Sequence, residues 1–269
     1  MSESTSRVRA GAGARLALAL VGLVMLVGCG ATTGQAATTS IGAPIATSGP
    51  GSTFDKLLPQ SVEQIPLIDD RGQPTDLGAF RGKTVVLADF LTLCQEVCPM
   101  TSADMVAVGA AATRAGLGSS VEVIEVTVDP ERDTPARLAA YRALFPALAN
   151  WSLLTGTPAD LAALWRALGV AYGRTAEPTG QPAPRDWWTG QALTFDVSHS
   201  NIVFFLDPTG HERYLIDADP DARKATVPAT LSTFLNSDGK QNLADPATGS
   251  WTPAQAEQIL QKLTGRPIG

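Results

Sequence analysis

Apolar and polar positions change rhythm along the chain, and the changes mark out elements. Residues 84–91, Thr-Val-Val-Leu-Ala-Asp-Phe-Leu, are largely apolar and β-branched, the pattern of a strand covered on both faces, and the stretch before them, Phe80-Arg81-Gly82-Lys83, is turn-like. Residues 121–128 form a second such run and residues 202–206 a third. The third is followed by Asp207-Pro208-Thr209-Gly210 and another strand over 212–216, which predicts a hairpin turning at 208–210. Helices are announced by Thr followed by Pro, at 134–135, 157–158 and 252–253. Thr accepts a bond from a free N–H of the first turn, and Pro at the first helical position gives up only a donor that would be unpaired. Gln255 adds the second half of a capping box to the last of these. The predicted helices cover 135–144, 158–168 and 253–264, with a fourth from Pro99 to about Arg114. Strands alternating with helices and closing on a hairpin predict an α/β layered fold with a mixed sheet.

The N-terminal segment has a different pattern. Arg7, Arg9 and Arg15 precede an uncharged run from Leu16 to Val27, too short to span a bilayer but suited to a secretion signal. Leu26-Val27-Gly28-Cys29 resembles the bacterial lipobox, in which the Cys receives a diacylglyceryl group and becomes the mature N-terminus. Residues 1–28 are therefore expected to be a lipoprotein-type signal peptide with the lipid on Cys29; cleavage by an ordinary signal peptidase and a buried N-terminal helix are the competing readings. Residues 29–53, rich in Ala, Thr, Gly and Ser, lack apolar periodicity and read as a tether with a reach on the order of 25–30 Å. The folded domain is expected over 54–269, on the extracytoplasmic face of the cell membrane.

Composition narrows the function. The 269 residues include 44% hydrophobic and 17% charged side chains, which fits a globular chain rather than a disordered or multispan one. A formal charge of -6 argues against a nucleic-acid partner, since phosphate binding draws on Lys and Arg. Three cysteines and two histidines leave few positions for thiol or metal chemistry.

Cys94 and Cys98 directly follow the first central strand and open a helix. Ligands of α/β sheets gather at the carboxyl ends of strands, and a helix N-terminus stabilises a thiolate. The i,i+4 spacing puts both side chains on one face of a helical turn; a pair of buried cysteines or an inert disulfide has the same spacing. His199 lies just before the third apolar strand, where the feeding loop can run beside the cysteine turn, whereas His211 sits in the hairpin and is expected to be solvated. Two thiolates and an imidazole form a soft three-donor set that favours copper, as Cu(I) or Cu(II), over hard cations and over four-coordinate zinc. Asp129, at the end of the second strand, is a candidate for an outer-shell bond or for a plain turn before Pro130. Met100 and Met105 read as core filling. Trp187 and Trp188, on a Pro-rich loop over 177–194, read either as a docking surface or as packing for that loop.

Three ordered motifs now stand out: Leu93-Cys94-Gln95-Glu96-Val97-Cys98-Pro99; the stretch 126–135, Val-Thr-Val-Asp-Pro-Glu-Arg-Asp-Thr-Pro; and Val197-Ser198-His199-Ser200 with Phe205-Leu206-Asp207-Pro208-Thr209-Gly210. Together they resemble the Sco/SenC family of membrane-anchored copper proteins. The resemblance implies a thioredoxin-like fold, a three-layer α/β/α domain with a mixed central sheet. It also implies copper held by Cys94, Cys98 and His199, and delivery of copper to, or reduction of the thiols of, the dinuclear copper site of cytochrome c oxidase. The implied partners are the oxidase subunit carrying that site or another copper acceptor, and the membrane through the lipid anchor. The chain departs from the family pattern at Gln95, where Pro is common, in the 177–194 loop, and in a long tail beyond about Pro220.

The main competing function is a thiol-disulfide oxidoreductase cycling Cys94 and Cys98, although its usual spacer is one residue shorter. A peroxidase using one of these thiols and a plain interaction lipoprotein rank below it.

Overall fold

The computed structural model describes residue 45 and residues 49–177 and 183–268. The segment expected to be a signal peptide, the lipidation candidate Cys29 and most of the expected tether lie outside the described residues.

Among the described residues, ten strands and seven α-helices follow one another. β1 (Ser52–Leu57), α1 (Gln60–Glu63), β2 (Leu67–Asp69) and β3 (Pro74–Thr75) lead into β4 (Thr84–Phe90), α2 (Cys98–Arg114) and β5 (Val121–Thr127). Then come α3 (Pro135–Arg142), β6 (Trp151–Thr155), α4 (Pro158–Leu168), β7 (Tyr172–Thr175), β8 (Asp196–His199), β9 (Ile202–Leu206) and β10 (His211–Asp217). The chain closes with α5 (Ala229–Phe234), α6 (Ser237–Ala244) and α7 (Pro253–Thr264).

Eight strands form one sheet in the order β1-β10-β9-β4-β5-β6-β2-β3. β4, β5 and β6 are parallel, β9 is antiparallel to β4, and β10 is antiparallel to β9. With α2 between the two central strands and α7 after the hairpin, the core β10-β9-β4-β5 has the thioredoxin arrangement, so the expected fold class is present. Every residue of β4 and of β5 is buried, as expected of central strands covered on both faces, the acids Asp89, Glu122 and Glu125 included. β7 and β8 form a separate two-stranded ribbon.

Helix boundaries follow the predicted caps. Thr134, Thr157 and Thr252 each accept a bond from the backbone N–H three residues on, with Pro at the start of the helix. The Gln255 side chain, expected to complete a capping box, donates to the carbonyl of Pro50 and so ties α7 to the first described segment. α2 docks on the sheet through a buried polar bond as well as apolar contact: Ser102 donates to Glu125 at 2.7 Å, and the other Glu125 oxygen accepts from the Trp151 indole at 2.8 Å. A carboxylate at that depth is tolerated because each oxygen has a donor. The tail beyond Pro220 is part of the body, since Trp251, Ile259 and Leu260 are buried.

Candidate metal centre

β4 and β5 end at the same edge of the sheet, and the loop after β4 carries the first ligand candidates. Cys94 is buried near the middle of that loop, and Cys98 is the first residue of α2, followed by Pro99. Val97 at the helix cap offers no side-chain acceptor. The sulfur of Cys94 takes that place and accepts the backbone N–H of Cys98 at 3.4 Å. Both cysteines are free thiols.

His199 reaches this point through long-range pairing. It ends β8, three residues before Ile202 opens β9, and β9 lies directly beside β4. Its Nε2 is 3.1 Å from the Cys98 sulfur. Its Nδ1 faces Asp89 Oδ2 at 2.6 Å and the Ser200 carbonyl at 2.5 Å. The other oxygen of Asp89 accepts the backbone N–H of Ile202 at 2.9 Å. Asp89 therefore fixes both the ring and the start of the strand that presents it. With Nδ1 engaged, Nε2 is the nitrogen turned to the sulfurs, the usual second-shell device of a metal-binding His.

The ligating atoms of Cys94, Cys98 and His199 all lie within 4.8 Å of one another, and among the described residues this group has no fourth His, Cys, Asp or Glu. It borders a cavity of about 330 Å³ whose lining includes Glu96, Asp196 and Asp219. The electrostatics are asymmetric. A hydrogen bond from the Cys98 thiol, opposed by burial and helped by His199, holds the Cys94 thiol well below its ordinary range. Burial, reinforced by the Cys94 thiolate, pushes Cys98 up. Burial pulls His199 down, but the bond to Asp89 and the nearby sulfur outweigh it and push its pKa up to about 10. An imidazolium beside a thiolate is a site whose protons a soft cation can replace.

Asp133 braces the loop. Its carboxylate accepts the backbone N–H of Thr92 at 3.1 Å and the hydroxyls of Thr92 and Thr127, each at 2.5 Å. Burial first, then Asp129, pushes its pKa up to about 6. Trp187 adds to the brace by donating its indole N–H to the Thr92 carbonyl at 2.7 Å, while Arg137 grips Asp186 with two bonds of 2.9 and 2.6 Å. Trp187 and Asp186 thus hold the described part of this loop, from residue 183 on, against its own domain, whereas Trp188 is 47% exposed.

The structure places the remaining candidates elsewhere. The Asp129 carboxylate, a candidate for an outer-shell bond, pairs with Arg132, which also donates to the Phe195 carbonyl at 2.8 Å, and the carboxylate against the histidine is that of Asp89. The reason is direction. The residue at the sheet edge with its side chain toward β9 is the one on β4, adjacent to β9, while β5 is one strand further away. Met100 and Met105 are fully buried on α2 and outside the ligand group. His211 stays in the hairpin, part-exposed, with Nδ1 2.9 Å from the Thr209 hydroxyl. Asp89 had a signal in the sequence, as the one acid in an otherwise apolar strand; Asp133 had none beyond its place in a motif.

A thioredoxin-type core with two thiols on the strand-to-helix turn and an oriented imidazole facing them defines a class of soft-metal or redox domains. Comparison with known proteins identifies the family within it. Residues 59–234 match the SCO1/SenC family model, and the chain belongs to that family. It is 29% identical over 162 residues to a protein of Stutzerimonas stutzeri whose name refers to copper binding, covering 58% of this chain and 70% of that protein. It is 25% identical over 176 residues to the mitochondrial SCO1 homologue of Mus musculus, covering 65% of this chain and 56% of that one. Against the mitochondrial SCO2 homologue of Bos taurus it is 32% identical over 146 residues, covering 54% and 49%. The chain thus spans about half the length of the mitochondrial relatives it matches. Among solved structures, copper-bound ScoI of Bradyrhizobium japonicum matches with 22% identity and a TM-score of 0.46, covering 63% of this chain and 94% of that one.

Proposed function

We propose that this protein is a copper carrier, anchored by a lipid on Cys29 to the extracytoplasmic face of the cell membrane, which takes copper as cargo on Cys94, Cys98 and His199. The observation that carries the reading is the convergence of two free thiols and an Asp89-oriented imidazole within 4.8 Å at the edge of a cavity. The donor chemistry fits copper: two sulfurs and one nitrogen are soft, and Cu(I) accepts three ligands, whereas structural zinc asks for a fourth. The relative whose name refers to copper binding supports the same choice.

When bound, copper supplies a centre whose ligands can be exchanged one at a time. This chain's own part is to hold two sulfurs and Nε2 ready, to keep Nε2 turned inward through Asp89, and to give up ligands singly as an acceptor's Cys or His takes over. The acceptor we assign is the subunit of cytochrome c oxidase that carries the dinuclear copper site.

A second reading rests on a specific observation, the lowered Cys94 thiol beside the raised Cys98 thiol, an asymmetry that suits disulfide exchange on the acceptor's cysteines. One titration separates the two. Reduced protein should take up about one equivalent of Cu(II) with a sulfur-to-copper absorption band, and protein oxidised to the Cys94–Cys98 disulfide should take up little, because a disulfide offers no thiolate. Equal loading of both forms contradicts the ligand set. Reduced protein that binds no copper yet reduces disulfides rapidly overturns the carrier reading in favour of the oxidoreductase.

A further inference from the structure

The loop between the cysteines has little to hold its own shape. Gln95, Glu96 and Val97 include no Pro, and the turn's own bonds are the Cys98 N–H to the Cys94 sulfur and the Cys94 N–H to the Leu91 carbonyl at 3.3 Å. Val97 is tied into α2 through its carbonyl, which accepts the N–H groups of Met100 and Thr101 at 2.9 Å, whereas Gln95 and Glu96 are held by a segment some 140 positions downstream. The backbone N–H of Asn236 donates to the Gln95 carbonyl at 3.0 Å, and its side-chain amide donates to Glu96 at 3.1 Å. The side-chain oxygen of the same Asn236 accepts the N–H of Gly239 at 2.8 Å and so caps α6. One residue therefore starts the helix and grips the loop.

Gly239 completes the contact. Its backbone lies so close to the loop that a Cβ there would stand 2.2 Å from the Gln95 carbonyl oxygen and 3.0 Å from the Glu96 Cα. The glycine is needed for that approach, and any side chain must push α6 away from backbone atoms that cannot yield. Asn242, on the same helix, lines the cavity that Cys94 and His199 also border. The helix is itself anchored, by buried Leu235 before it and by Trp251 after it, whose backbone bonds to Asp219 and Asp221. All of this lies beyond residue 234, where the family match ends.

We infer that α6 is a clamp built onto the metal-binding loop, with Asn236 and Gly239 as positioning residues that hold Gln95 and Glu96, and through them the Cys94 sulfur, against Cys98 and His199. The inference rests on the copper reading only for its second readout. The first is metal-free: the rate at which iodoacetamide alkylates Cys94 in reduced protein carrying Cys98→Ser. Loss of the clamp bonds should raise that rate about tenfold in Gly239→Val and by a smaller factor in Asn236→Ala, since each lost hydrogen bond frees the loop to open locally. Ile259→Val, which loosens the core of α7 without touching the loop, serves as the control for general destabilisation and should leave the rate within about twofold. The second readout is transfer of bound Cu(II) to a competing chelator, expected to be about tenfold faster in Gly239→Val. Alkylation of Gly239→Val at the wild-type rate, or acceleration no greater than in Ile259→Val, overturns the clamp. Failure of the wild type to bind copper overturns the carrier reading instead and leaves alkylation to decide on the clamp.

Discussion

Two carboxylates are buried on neighbouring elements, and they are treated in opposite ways. Asp89, on β4, has a partner for each oxygen, the His199 ring on one and the Ile202 N–H on the other. Asp104, on α2, is equally inaccessible, and among the described residues neither of its oxygens has a hydrogen-bond partner. Burial, reinforced by Asp221, pushes the Asp104 pKa up to about 8. The difference separates organisation from toleration: at the sheet edge the fold spends both lone-pair sets on placing one imidazole, while in the helix it keeps an acid that is easiest to bury with its proton on.

The largest effect should follow from breaking the organised member. Asp89→Ala frees the histidine and strips the Ile202 N–H of its acceptor, so Cu(II) affinity in competition titrations should fall about 10- to 100-fold. Unfolding in urea should show a loss of about 3 kcal/mol or more from the orphaned partners. Unchanged affinity would mean that the carboxylate does not orient the ring. Next comes the brace of the loop. Asp133→Ala leaves three buried donors unsatisfied around Thr92 and Thr127, and should cost about 2–4 kcal/mol in the same unfolding assay.

Asp104 gives a pH signature in place of a ligand effect. Its folded pKa lies above the unfolded value, so the folded state holds the proton more tightly, and stability should decline as pH rises from about 4 to about 8 by up to about 1.4 kcal/mol per unit. Asp104→Asn should remove that decline, matching the wild type at about pH 4 and exceeding it by a margin that grows up to pH 8 in urea melts. Parallel curves for the two proteins would show that the carboxyl does not titrate in this window. The smallest effect belongs to Asp129→Ala, which removes only the pairing with Arg132: about 1 kcal/mol of stability, with copper affinity within about twofold of wild type. A large loss of affinity there would restore Asp129 to the site.

The parts of the fold legible in the sequence are those whose local pattern matches their burial. β4 and β5 read as central strands because every position is buried, and the three Thr-Pro caps mark real helix starts. β1 and β7 carry no such pattern, since all their residues are exposed. α6, with the sequence Ser-Asp-Gly-Lys-Gln-Asn-Leu-Ala, has a single buried residue, and it owes its place to contacts with a distant loop. The cysteine turn was legible from its place after a strand. The histidine's route to it was not, because it depends on β9 lying beside β4, and the identity of its carboxylate partner depends on the same pairing. Motif proximity pointed to Asp129, whereas strand order places Asp89 against the histidine and leaves Asp129 paired with Arg132.

The most direct test of the account is Cu(II) titration of reduced His199→Ala beside the wild type, followed by the sulfur-to-copper absorption band and by electron paramagnetic resonance. The account predicts that wild type binds about one equivalent with sulfur and nitrogen ligation and that the variant loses tight binding and the nitrogen signature, with both thiols intact. Retention of the same stoichiometry, affinity and spectrum in His199→Ala would contradict it.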